Sequence, residues 1–445
     1  MVRSIFRTYF LLGVIIYILF VLTISGDLTG IHIFNISVFL AYSFLLYYSI
    51  NGINYNSKNL IILVSAYSVF IVAMFKFLSF IYNGNLFVFS EVDALHYHNE
   101  SLEMIKRSFA EGIIYIYNIW SLEDLGAVLI TSTLYRIVNS PLILNLFYVI
   151  IGVITAVKMF NIGQRIMSPR YAFLAALTFS ISSMTLFFHS TNLKESIMVF
   201  LVVSFYDTYL RFLEKRHIKY FLYALLWAAT FIFFRPAIIF FIAVSVFISF
   251  LIEKRKGIKG TIAIIALFII FIYFYSEFQK IYNNYTRAGN IEMVIASKEK
   301  QGAIKSGGLA FNYSVNILAQ ILGPFPTFTP AKGIKISFWS SGLFLRSLLF
   351  LPFWLGVYFA LKTKHPYLYP LFLFVIFEMI SLSLILEGLE LRKAMPHMPF
   401  VFIVAFWFLS EIDLTKEIIN RIFFKRLIIL SFIFVFVAVV AYNFR

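Results

Sequence analysis

The chain has 445 residues, 61% of them hydrophobic and only 13% charged, with a mean hydropathy of +0.89 and a net charge of +16. Soluble domains carry about 25% charged residues, so this composition excludes a water-soluble fold. The basic residues fall in short clusters between apolar runs, as loop anchors of a membrane protein do, which argues against nucleic acid as a partner, and the absence of cysteine excludes disulfides and thiolate chemistry.

Read in chain order, apolar runs long enough to cross a bilayer fall at 9–25, 31–50, 60–81, 141–162, 171–188, 193–212, 220–234, 236–252, 261–276, 338–360, 367–386, 399–409 and 427–441. They predict an all-α, polytopic bundle of about 13 transmembrane helices, with 1–445 as a single integral membrane domain. The first run follows Arg3 and Arg7 and ends without a small-residue cleavage site, which predicts a retained helix. The run 126–138 is apolar but too short to span, and predicts a juxtamembrane or re-entrant helix.

The basic residues set the orientation. With the N-terminus inside, Lys58, then Lys158, Arg165 and Arg170, then Arg211, Lys215, Arg216 and Lys219 fall on the cytoplasmic side. So do Lys254, Arg255, Lys256 and Lys259, then Lys362 and Lys364, then Lys416, Arg421, Lys425 and Arg426. Every strongly basic short loop then lies on one side, as the positive-inside rule requires. The long outer segments are 82–140, which includes the juxtamembrane run, and 277–337; shorter outer turns are 189–192, the Arg235-Pro236 corner and 387–397.

The unusual polar residues collect in these outer segments. The first reads Ser90-Glu91-Val92-Asp93-Ala94-Leu95-His96-Tyr97-His98-Asn99-Glu100, a loop followed by helical spacing over 101–112. A carboxylate at a membrane surface is partly desolvated, which raises its basicity and suits Asp93 or Glu91 to deprotonate a hydroxyl. The plainer alternative is a solvated loop with ordinary charges. Lys194-Glu195 stands at the outer start of a span, as a ligand-binding or a purely structural ion pair. Arg235 is a cation in Phe-rich surroundings, which calls for an anionic partner such as a lipid phosphate or pyrophosphate, or else marks an interfacial anchor. Arg392 and Lys393 are basic on the outer side, so they need a ligand or the neighbouring Glu387 and Glu390. The second long segment adds Arg287, Lys298, Lys300 and Lys305, an amphipathic stretch over 309–322, and Gly323-Pro324-Phe325-Pro326, which reads as a rigid corner.

Taken together, the pattern resembles the GT-C superfamily of polyprenol-dependent glycosyltransferases. An acidic residue in the first exterior loop precedes Tyr97-His98 and an amphipathic helix. Leu134-Tyr135, Ser140, Asn145, Gly152, Thr155, the basic turn 164–170, 172–176 and Lys194-Glu195 follow in the order of the mannosyltransferase-like members. The likeness covers roughly 91–236. The run 323–326 and the closing Arg392, Pro396 and Pro399 are similar to bacterial O-antigen and capsule repeat-unit polymerases of the Wzy type. Two features depart from the superfamily pattern: several spans precede the acidic loop where many members have one, and Lys194-Glu195 stands where relatives often carry Ser-Glu.

The resemblance implies a transferase acting on polyprenyl-(pyro)phosphate-linked oligosaccharide at the periplasmic face of a bacterial inner membrane. Repeat-unit polymerisation is the expected reaction. Asp93, or Glu91, is implied as general base; Arg235, Arg392 and Lys194 as holders of the (pyro)phosphate; Glu195 as the residue that positions Lys194. His96 or His98 would bind sugar or phosphate, and Arg287, Glu390 and Lys393 complete the expected substrate-binding set. No cofactor is expected, with a divalent metal left open; membrane lipid and a chain-length regulator protein are the expected partners. Two other functions fit less well. One is addition of a single sugar from a polyprenyl-monophosphate donor. The other is a polysaccharide flippase, which calls for mid-span charges and an internal repeat, of which the sequence shows few and none.

Overall fold

The structure, a computed structural model, describes residues 41, 45, 54–83, 86–87, 92–120, 122–252, 308–323, 342–384, 391–414 and 418–443. Helix α1 (Ser57–Asn83) is followed by three shorter helices, α2 (Val92–Ile105), α3 (Phe109–Trp120) and α4 (Leu122–Ile137). Then come α5 (Pro141–Gln164), α6 (Pro169–Ser180), α7 (Ser183–Ser190), α8 (Glu195–Lys215), α9 (Ile218–Thr230), a 3₁₀ turn over Phe231–Phe233, and α10 (Ala237–Ile252). The C-terminal part contains α11 (Gly308–Leu322), α12 (Gly342–Leu348), α13 (Phe350–Thr363), α14 (Tyr369–Leu384), the single turn α15 (Leu391–Ala394), α16 (Met398–Leu414) and α17 (Ile418–Asn443). Among the described residues there is no strand.

By length and composition four of these helices can cross a membrane, or six if each of two bent pairs is one span. Shorter apolar helices fill the expected spans 220–234, 236–252 and 367–386, while 9–25 and 261–276 lie outside the described residues, as does 31–50 apart from helical residues 41 and 45. The run 126–138 falls, up to Ile137, in α4, which is 16 residues long.

Three expectations need correction. The span 171–188 is two helices, α6 and α7, bent by 47°. Ser182 caps the second helix through Thr185 N–H, while the Ser182 and Thr185 hydroxyls donate to the Phe179 carbonyl at 2.8 and 2.9 Å. The Phe179 carbonyl at the break is thus satisfied inside the bundle. The run 338–360 likewise bends by 43° between α12 and α13. In the first outer segment, Asp93 lies in the first turn of α2 and not in a loop, and the helix expected over 101–112 breaks at Lys106–Ser108. The break has a local cause: Ser108 and Glu111 form a reciprocal capping box, Ser108 donating to Glu111 Oε2 and Ser108 Oγ accepting from Glu111 N–H.

The core is α5 packed against α6, α8 and α1, with α16 laid across α6 and α13. It is dense in aromatic rings: Tyr148, Phe173, Phe179, Tyr206, Phe231, Phe353 and Trp407 are fully buried. Phe179 meets Phe402 edge-to-face, and Tyr206 meets Phe400, so α16 is keyed to both α6 and α8. By contrast α17 leaves Leu430, Ile433, Phe434 and Val437 exposed, an apolar face suited to lipid. Two charged clusters on α8 carry different chemistry, one at Glu195 and one at Asp207, roughly 18 Å further along the helix. In its C-terminal half buried Asp207 meets Arg165 at 2.8 Å, Arg211 at 3.0 Å and Lys158 at 3.9 Å. At its N-terminal end lies the candidate site.

Candidate active site at the start of α8

The chain enters α8 through a turn that is fixed from the side by α5. Asn145 donates to the carbonyls of His189 and Ser190 at 2.8 and 3.1 Å and bonds Asn192 Oδ1 at 2.5 Å. Asn192 takes a left-handed conformation, φ 61°, which the short amide side chain tolerates. His189 Nδ1 also bonds Ser196 Oγ at 2.9 Å. The result is a rigid presentation of Lys194 and Glu195, adjacent in sequence but directed to different partners.

Glu195 is completely buried. Arg392, from α15, donates through Nε to Glu195 Oε1 at 2.6 Å and through Nη2 pairs with Asp93 Oδ2 at the start of α2. Arg235, just after the 3₁₀ turn, approaches the same Glu195 oxygen at 3.8 Å. With Asp93 joined through Arg392, two cations distant in sequence therefore converge on one carboxylate. Its other oxygen, Oε2, is buried with no hydrogen-bond partner. Exposure rises outward, from 0% for the Glu195 side chain through 17% for Arg392 to 38% for Asp93. Glu195 is the floor and Asp93 the mouth.

Lys194 turns the other way. Its ammonium pairs with Asp124 of α4 and donates to the Phe234 carbonyl at 2.9 Å, while Tyr97 donates to the same Asp124 oxygen at 2.7 Å. Gly126 lets α4 come this close, since a Cβ there would lie 2.6 Å from Phe234 Cζ and 2.8 Å from the Phe233 carbonyl. Burial, then the Asp124 and Glu195 charges, push the Tyr97 phenol up, so it remains a donor. Burial works against the Arg392 cation, but Glu195 and Asp93 outweigh it and hold its pKa above the ordinary value.

These contacts revise several sequence expectations. Glu195 pairs with Arg392 and Arg235, not with Lys194, whose carboxylate is Asp124. Arg235 is not alone among phenylalanines, because Glu195 faces it. Arg392 draws on Asp93 and Glu195 as carboxylates. Lys393 is half-buried beside Arg392, and His96 is exposed on α2. His98 faces away from the cluster, bonding Tyr135 Oη at 2.8 Å and stacking near Phe87. Burial, then the Lys76 charge, lowers its pKa and keeps the ring neutral. Glu91, Arg287 and Glu390 lie outside the described residues, as do Lys298, Lys300 and Lys305. Sequence reasoning missed Asp124, and it placed Asn145 in the family resemblance without giving it a role in the site. Asp124 carried a signal, a carboxylate opening an apolar helical run, whereas nothing about a single Asn inside a span pointed to the turn it braces.

Chemically, the six charged groups Asp93, Asp124, Glu195, Lys194, Arg235 and Arg392 balance to zero. Arg235 is the under-used member: among the described residues its guanidinium has one ion pair, at 3.8 Å and so beyond hydrogen-bonding distance, and no hydrogen bond, and its side chain is 22% exposed. A guanidinium in that state has donors free for a further anion.

Comparison with known proteins bears on the same region. Residues 126–277, about a third of the chain, match the family model of dolichyl-phosphate-mannose-protein mannosyltransferases. The matched stretch contains Lys194, Glu195 and Arg235 but neither Asp93 nor Arg392. No curated protein matches the chain. Among solved structures it is similar to the archaeal oligosaccharyltransferase AglB from Archaeoglobus fulgidus, in complex with an inhibitory peptide and a dolichol-phosphate, at 14% identity and a TM-score of 0.45. That alignment covers 86% of this chain and 55% of the archaeal one, so the chain spans about half of that protein's length.

Proposed function

We propose that this protein is a GT-C-type membrane glycosyltransferase that transfers sugar from a polyprenyl-(pyro)phosphate carrier. Its finer form is the joining of lipid-linked repeat units at the outer face of a bacterial inner membrane. The observation that carries the reading is Arg392 bridging Asp93 and buried Glu195, with Arg235 against the same carboxylate. The match of 126–277 to a polyprenyl-phosphate-dependent mannosyltransferase family supports it.

In this reading the acceptor hydroxyl attacks the anomeric carbon and its proton passes to Asp93. The bond from that carbon to the phosphate oxygen breaks, and the polyprenyl (pyro)phosphate leaves with the electron pair. Arg235 and Arg392 bind the departing anion, a fixed-cation stabilisation that is commonly the largest single contribution in such sites. Bound phosphate competes with Asp93 for Arg392, so substrate binding itself frees the base. Glu195 keeps both guanidinium groups in place while its own charge is already neutralised.

A second reading, addition of one sugar from a polyprenyl-monophosphate donor, is favoured by the description of the matching family. Deleting the gene in its host separates the two. Loss of a polymerase leaves single-repeat surface polysaccharide, visible as collapse of the gel ladder. Loss of a branch-adding transferase leaves long chains that lack one sugar. Unchanged chain length and unchanged sugar content would contradict both.

A further inference from the structure

Away from the Glu195 cluster, the bundle buries another cation that the proposed reaction does not use. Arg346 of α12 is fully buried. Its Nη2 donates to the Gln320 carbonyl at 3.3 Å, while Nε and Nη1 have no hydrogen-bond partner. Among the described residues no carboxylate lies within 4.0 Å of it. Neighbouring Ser347 is also buried, with its hydroxyl unpartnered.

The surroundings hold this donor pair in place. Gly323 closes α11 in a left-handed conformation, φ 97°, and a Cβ there would stand 3.1 Å from Arg346 Cγ, 3.4 Å from Ser347 Oγ and 3.5 Å from Arg346 Nη1. Gly323 thus lies directly on the two side chains, at a spot where any other residue would be strained by the positive φ and would crowd Arg346. Gly342 N–H is anchored to Ser183 Oγ at the α6–α7 bend, 2.9 Å away, which fixes α12 deep within the bundle. In the turn before α16, buried His397 Nδ1 lies 3.2 Å from Glu378 Oε2 of α14 without a hydrogen bond between them, and the two form no ion pair with Arg346.

A desolvated guanidinium without a counter-charge is among the costliest groups a membrane bundle can hold, and such residues mark ligand or ion sites. Its idle Nε and Nη1, with the Ser347 hydroxyl, form a donor set of the kind that takes a phosphate ester. An anion that reaches this depth must travel with the bilayer. We infer that Arg346 and Ser347 form a second lipid-phosphate site, which holds the (pyro)phosphate of a polyprenyl-linked acceptor while Arg235 and Arg392 hold that of the donor. This rests on the function proposed above and deepens it: two lipid phosphates in one bundle belong to a reaction that joins two lipid-linked substrates.

The test is native mass spectrometry of the full-length protein in detergent, titrated with undecaprenyl monophosphate and, separately, with phosphatidylglycerol. The expected result is two bound polyprenyl phosphates, one lost in Arg235→Gln and the other weakened roughly ten- to a hundredfold in Arg346→Gln, as loss of charge-assisted hydrogen bonds implies. Arg346→Lys should retain part of the second step. Equal binding of phosphatidylglycerol at the Arg346-dependent step would overturn the acceptor assignment in favour of an ordinary phospholipid site. A single bound polyprenyl phosphate, lost in Arg235→Gln and untouched in Arg346→Gln, would overturn the inference while leaving the proposed function intact. No binding at all would overturn both. Folding is checked with Arg346→Met in delipidated detergent: an unpaired cation replaced by an apolar chain should unfold at the same or a higher temperature, and a clear fall would assign Arg346 a structural role instead.

Discussion

Arg392 and Glu195 are 197 positions apart in the chain, yet Arg392 Nε donates to a Glu195 oxygen at 2.6 Å inside the bundle. The bond ties the C-terminal helices to the helix that bears Lys194 and Glu195, and it sets where the guanidinium can meet both Asp93 and a substrate. Substituting Glu195→Gln keeps the shape but removes the charge. Transfer activity should fall by at least about a hundredfold, the scale of losing preorganised electrostatic stabilisation. Polyprenyl phosphate should bind no more weakly, since two cations lose a competing anion. Activity near the wild-type level in membranes containing equal protein would show that Glu195 does not organise the site.

The Lys194–Asp124–Tyr97 contact should behave as a graded structural unit. Removing Asp124 leaves a buried ammonium without its counter-charge, so Asp124→Ala should cost about 3 kcal/mol, the lower end for breaking a buried ion pair. Tyr97→Phe removes one hydrogen bond and should cost about 1 kcal/mol. Thermal unfolding of the purified variants in one detergent gives the order. Equal destabilisation by the two changes would contradict it.

How much of this was legible in the sequence follows from the physics of each feature. Among the described residues the places of the apolar helices were, because apolar length is a local property. The α6–α7 bend was not, since it depends on which hydroxyls reach the Phe179 carbonyl. Among the charged residues, Asp93, Glu195, Arg235 and Arg392 stood out because charges near a bilayer are rare, and the structure gathers all four. Their pairing was not readable: adjacency suggested Lys194 with Glu195, but successive residues at a helix start point in different directions. His98 was grouped with Asp93 by proximity in a presumed loop; on a helix the five-residue separation carries it to another face.

Asn145 should act on the site through the turn it braces. Asn145→Ala strips three acceptors of their partner in a buried setting, with an expected loss of about 1–3 kcal/mol. Because the turn sets Lys194 and Glu195, turnover should fall more than substrate affinity does. An unfolding temperature and turnover both equal to wild type would remove the bracing role.

The pH dependence of stability should include a contribution from His98. Its pKa is lowered in the folded protein, so folding favours the neutral ring. That stability is present above the ordinary histidine value of about 6.5 and is lost as pH falls through it toward the lowered one. His98→Gln should flatten the decline in unfolding temperature between about pH 7 and pH 5. A decline as steep as that of wild type would show that His98 does not contribute.

Complementation with Asp93→Asn is the shortest route to the chemistry itself. In a deletion strain, at matched expression and membrane insertion, the variant should restore none of the surface polysaccharide that wild type restores. A positioned base contributes about 10²–10⁴-fold, and the amide keeps the size but cannot take the proton. Polysaccharide restored to wild-type length and amount by Asp93→Asn would contradict glycosyl transfer with Asp93 as its base.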